Sequence, residues 1–157
     1  MAAARNRLPL ALALIEESLG ALKTPVNLLQ LKAMKLQILM QTEPNAESLL
    51  STADEVLKEA KQIQPAMVND AAWGLYEAMA EGKPNHRLIN KLIPAIQDLA
   101  NQMTGDDKAV TLDTLSHLHA LGGDKAQAIR IQQVAVSTAT NASTAKQLQE
   151  YLNELKK

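Results

Sequence analysis

Apolar residues recur every third or fourth position along almost the whole chain, the period of amphipathic α-helices. Leu8, Leu12, Ile15, Leu19 and Leu22 form the first such stripe, and it runs straight through the charges of Glu16 and Glu17. No Val/Ile/Thr-rich alternating run bounded by hairpin turns occurs, so strands are not expected. Proline and glycine punctuate the chain at intervals suited to helices of about four turns. The first helix is expected from Pro9 to Leu22, and Thr24-Pro25 reads as an N-cap with proline at the first helical position of a second helix ending near Gln41. That second helix is apolar on several sides (Leu28, Leu31, Met34, Leu36, Leu39), as expected of an element packed between two neighbours.

After a turn at Thr42 to Asn45, the third helix carries Leu49, Ala53, Val56, Ala60 and Ile63 on one stripe. Gln64-Pro65 opens a fourth helix ending near Ala80, where Gly82 suits a left-handed C-terminal residue and Pro84 blocks continuation. The fifth helix spans His86 to Met103, with a kink or split expected at Pro94. Thr104 to Asp107 is the next break, and a sixth helix covers Lys108 to Leu121. Gly122-Gly123 ends it, and Asp124 with Gln127 forms a capping-box arrangement for a seventh helix ending near Thr138. After a polar loop, Ala145, Leu148, Leu152 and Leu155 make a one-sided last helix that looks like a cap. The prediction is an all-α fold of eight helices in antiparallel hairpins, forming one domain over residues 1–157, either free-standing or cut from a longer protein.

Internal similarity sharpens this picture. From Ala109 to Thr140 the chain resembles one tetratricopeptide unit, with Leu112, Leu115, Ser116 and His119 at the large, large, small and large positions of its first helix. Gly123-Asp124 is the turn, and Ala128 and Ala135 fall on the two small positions of the second helix. His119 and Gln132 stand where that family usually has an aromatic, and Thr140 replaces its terminal proline. Ala66 to Met103 resembles an upstream unit through Ala71-Ala72-Trp73, and Val26 to Ile63 gives a looser third pair. The resemblance implies a right-handed α-solenoid whose concave face is lined by the first helix of each pair. The last unit with its trailing helix is also similar to the carboxy-terminal helical extension of some bacterial thioredoxin-fold proteins. On that alternative the catalytic part lies outside this chain and the helices are its accessory domain.

Composition then excludes several functions. The absence of cysteine removes disulfides, thiol nucleophiles and Cys-x-x-Cys redox chemistry. A net charge of −1 from 16 basic and 17 acidic residues gives no basic field for nucleic acid. Only Trp73, Tyr76 and Tyr151 are aromatic, too few to stack single-stranded bases. Leu8 to Ile15 after Arg5 and Arg7 faintly resembles a signal peptide, but the stripe continuing past Glu16 and Glu17 favours an ordinary helix. No run approaches the roughly 20 apolar residues of a membrane span, and the compartment, cytoplasmic or periplasmic, stays open.

Candidate chemistry is sparse. His117 and His119 point about 200° apart on a helix and cannot share a metal, so no metal or cofactor is expected. His119 fills the aromatic core slot, while His117 faces the groove or solvent. Asp106 and Asp107 complement the positive end of a helix, and the methionines read as core filling in a chain without Phe. Trp73 and Tyr76, three residues apart, share one face of the fourth helix with Asn69 and Asp70. The resemblance places Asp113 and His117 at groove-facing positions of the next unit. Such repeats can clamp a partner's terminal carboxylate with Lys, Asn and Arg, but Asp113 and His117 do not supply those groups. The expected function is a non-catalytic scaffold that binds a protein or peptide through Asn69, Asp70, Trp73, Tyr76, Asp113 and His117.

Overall fold

The helical periodicity is realised throughout the computed structural model, which describes residues 7–21 and 24–157. Among these residues eight helices and no strands are present: α1 (Leu8–Ala21), α2 (Pro25–Thr42), α3 (Glu47–Ile63), α4 (Ala66–Glu81), α5 (His86–Gln102), α6 (Gly105–Leu121), α7 (Lys125–Thr138) and α8 (Ala142–Leu155). Leu22, the expected end of the first helix, lies outside the described residues. The chain divides into two compact units, Met1–Met67 and Val68–Lys157.

In the first unit, α2 packs against both α1 and α3, as its multi-sided apolar surface requires. Thr24 is the N-cap of α2 with Pro25 at its start, so the missing proline N–H falls where no helical partner exists. Lys32 on α2 reaches two carboxylates of α3, Glu59 at 2.5 Å and Glu55 at 2.9 Å, while Lys35 meets Glu16 of α1 at 3.0 Å. The two glutamates raise the Lys32 pKa by favouring its charged form. The α1 stripe faces inward, with Ile15 buried and Leu8, Leu12 and Leu19 half-buried, whereas Leu10 and Leu14, off the stripe, are exposed. The methionines divide as well, because Met79 belongs to the core and Met34 is 52% exposed on the outside of α2.

In the second unit, α5 packs on α6, α6 on α7 and α7 on α8, and α6 also touches α8. Pro94 does not split α5, which is continuous from His86 to Gln102. The buried stripe Leu88, Ile89, Leu92, Ile96 and Leu99 runs along one side, while Pro94 and Asn90 are exposed. The Asn90 carbonyl that loses its partner can therefore be hydrated, which removes most of the penalty of breaking a buried bond.

The sixth helix begins three residues earlier than its sequence suggests, at Gly105, whose φ of 57° turns the chain into it. Its end is sharper than a generic glycine stop. Gly123 has φ 93°, its N–H bonds the Ala120 carbonyl, and the Asp124 N–H bonds the His119 carbonyl, the two bonds of a Schellman closure. Asp124 then accepts from the Gln127 N–H as the N-cap of α7. The reciprocal half of the expected capping box is missing, because the Asp124 N–H is spent on the His119 carbonyl and Gln127 Oε1 accepts from Arg130 instead. Gly82, expected to be left-handed, is not among the positive-φ glycines.

Small residues stand where α6 and α7 approach closely. Ala128 and Ala135 are fully buried, and the Ser116 hydroxyl donates to the Ala128 carbonyl at 2.9 Å, locking α6 against α7.

Candidate functional site

Helices α4 and α6 of the second unit frame an open groove of about 340 Å³ lined by Asn69, Asp70, Trp73, Val110, Asp113 and Thr114. Its α4 wall follows from helical spacing: Asn69 and Trp73 are four residues apart, and Asp70 and Trp73 three, so all point to one side while Val68, Ala72, Leu75 and Met79 turn into the core. On α6 the same geometry brings Val110, Asp113 and Thr114 together, with Leu112, Leu115 and Leu118 buried behind. Four of the expected residues, Asn69, Asp70, Trp73 and Asp113, thus meet in one place. Tyr76 and His117 are not in the lining. They join Trp73 in an aromatic cluster instead.

That cluster is built around His117. Its ring stacks on Tyr151 of α8 with centroids 3.6 Å apart and planes 13° from parallel. Trp73 meets it edge-on at 5.1 Å, and Tyr76 lies 4.8 Å away. The Tyr76 hydroxyl is 3.0 Å from His117 Nδ1. His117 Nε2 points toward Asp113 Oδ2 at 3.7 Å. Because that carboxylate only accepts, the arrangement favours the tautomer with hydrogen on Nε2 and Nδ1 accepting from Tyr76. His117, expected to face the groove or solvent, is in neither place: it is absent from the groove lining and its side chain is 13% exposed. Burial pushes its pKa down to about 4, leaving a neutral imidazole near neutral pH.

Asp113 is held from a third helix. Gln132 of α7 is fully buried and donates to Asp113 Oδ1 at 2.6 Å and to the Leu148 carbonyl of α8 at 3.1 Å. Its amide orientation is set by these two acceptors, which leaves Gln132 Oε1 without a partner. Burial raises the Asp113 pKa, and the bond from Gln132 lowers it in opposition. Burial likewise raises the pKa of Tyr151, and that of Tyr76 with help from the nearby Asp113 charge. A polar chain thus runs from Tyr76 through His117, Asp113 and Gln132 to the α8 backbone, joining four helices.

Asn69 is different in kind. Its Oδ1 is buried and has no hydrogen-bond partner, although the residue lines the groove. Such an orphan acceptor costs about 1–3 kcal/mol unless a donor reaches it.

Sequence reasoning missed Val110, Thr114, Tyr151 and the role of Gln132. The first two were discoverable, since Val110, Asp113, Thr114 and His117 recur at three- and four-residue steps on one helix face. Tyr151 stands 34 residues after His117, the repeat length that the resemblance implies, and that spacing is the signal by which it was discoverable. Asp106, expected only to complement a helix terminus, also accepts from the Thr140 and Asn141 N–H groups and the Thr140 hydroxyl, pinning the loop before α8. Those bonds hold its pKa low.

No cluster of three or more His, Asp or Glu side chains among the described residues is arranged to hold a metal ion. No helix among them is long and apolar enough to cross a membrane. No protein family, curated protein or solved structure matches the chain.

Proposed function

We propose that this chain is a non-catalytic interaction module of tetratricopeptide-like type, which takes a peptide or an exposed segment of a partner protein into the groove between α4 and α6. The observation that carries this is the convergence of Asn69, Asp70, Trp73 and Asp113 on a single open groove of about 340 Å³. Its volume is at the small end of ligand sites, about 300–1,000 Å³, and suits one or two side chains of an extended segment.

The repeat assignment is supported by the fully buried Ala128 and Ala135, the Ser116 contact with the Ala128 carbonyl and the left-handed Gly123 turn. It is supported further by where the groove falls, on α4 and α6, the first helices of successive units. Binding through Trp73 would be the main energetic contribution, because an aromatic anchor loses about 2 kcal/mol or more on truncation while an exposed charge loses about 0.2–1 kcal/mol.

The test is selection from a random displayed peptide library with the full chain as bait. A family of related peptides is expected, and Trp73→Ala, checked for retained helicity, should weaken the leading peptide by roughly tenfold or more. No enrichment, or unchanged affinity in a folded Trp73→Ala variant, contradicts the proposal.

A further inference from the structure

We infer that the groove between α4 and α6 is built to receive a cationic side chain of the partner peptide, arginine in first place. This rests on reading the groove as a peptide site and adds the chemistry of what enters it. The lining contains two carboxylates, Asp70 and Asp113, and no basic residue. Its two carboxylates also have acceptor capacity to spare. No hydrogen bond or ion pair engages Asp70 among the described residues. Asp113 uses Oδ1 for Gln132, whereas its Oδ2 has only the distant His117 Nε2 at 3.7 Å. A guanidinium carries five N–H donors and no acceptor, the complement of such a site, while an ammonium offers three donors from a single point.

The rest of the lining fits the remainder of an arginine side chain. Trp73 supplies an aromatic surface attractive to a cation within about 6 Å of the ring, and Val110, 45% exposed, offers an apolar seat for the methylene stem. The site is also preorganised. Gln132 fixes Asp113 through a bond that is itself anchored on the Leu148 carbonyl, so the carboxylate need not be ordered on binding. The Asp113 side chain is only 21% exposed, which strengthens its attraction for a cation relative to a fully hydrated carboxylate. A peptide acid entering the same groove would meet two like charges.

The selected peptides themselves provide the test. Arginine, and less strongly lysine, should be enriched at one position, and aspartate and glutamate depleted there. Replacing that arginine by the neutral isostere citrulline should weaken binding to the full chain by roughly tenfold or more, with lysine falling between. Asp70→Asn, on an exposed residue outside the folded core, should cost about two- to fivefold and flatten the salt dependence. Asp113→Asn is the stronger perturbation, and the exposed Asp70 variant keeps the test decisive if Asp113→Asn fails to fold. Peptides selected without a basic residue, or an arginine replaceable by citrulline without loss, would overturn this inference while leaving the peptide-binding module intact. Failure to select any peptide would remove both.

Discussion

His117 shows how much a single side chain depends on its neighbours. His117 is stacked on Tyr151, bonded to Tyr76 and largely withdrawn from water, and burial lowers its pKa from 6.5 to about 4. Its folded pKa lies below its unfolded one, so the stability it confers is complete above pH 6.5 and is lost as the pH falls toward about 4. The loss is on the order of 2 kcal/mol after allowance for partial exposure. Asp113, whose pKa is raised, acts with opposite sign and softens the decline at the acid end. We expect the urea midpoint to fall across this window and His117→Phe to flatten the fall. A ring-proton NMR titration placing the His117 transition near 6.5 would contradict the assignment. The sequence put Asn69, Asp70 and Trp73 on one face because helix spacing fixes which residues share it, whereas only the repeat resemblance set Asp113 opposite them. It could not show that Tyr76 and His117 bond each other, since that contact spans 41 positions and depends on how two helices are set side by side.

At the scale of elements, turn chemistry and small-residue positions carry the account. Gly123 adopts φ 93° with open space around an added Cβ, so Gly123→Ala should cost about 1–2 kcal/mol through backbone strain alone. Ala128→Leu and Ala135→Leu should each cost about 1–3 kcal/mol by overpacking the α7 contacts, because both positions are fully buried. Thermal or urea unfolding of the three variants checks this, and wild-type midpoints in both alanine variants would remove the repeat argument. Pro94→Ala should instead stabilise, by up to about 3 kcal/mol, since it restores an N–H and a good helix former at an exposed interior position. Helix boundaries were legible to within a few residues because caps and breakers are local signals. The continuity of α5 through Pro94 was not, because it rests on which face the tertiary packing leaves to water.

At the largest scale, the eight helices and the lack of strands among the described residues followed from periodicity, whereas the division into Met1–Met67 and Val68–Lys157 did not. Nothing in loop length or composition at Gln64-Pro65 distinguishes that joint from the others. The groove, the aromatic cluster and the chain of polar contacts all belong to the second unit. A fragment from Ala66 to Lys157 is therefore expected to be helical by circular dichroism and to unfold cooperatively. A non-cooperative melt would show that this stretch does not fold on its own. The most direct test of the central claim is a two-dimensional ¹H–¹⁵N NMR titration of the full chain with the strongest selected peptide. The account predicts that the largest shift changes fall on Asn69, Asp70, the Trp73 indole, Val110, Asp113 and Thr114. Changes concentrated on exposed Leu10, Leu14 and Met34 of the first unit, with the groove signals unmoved, would contradict it.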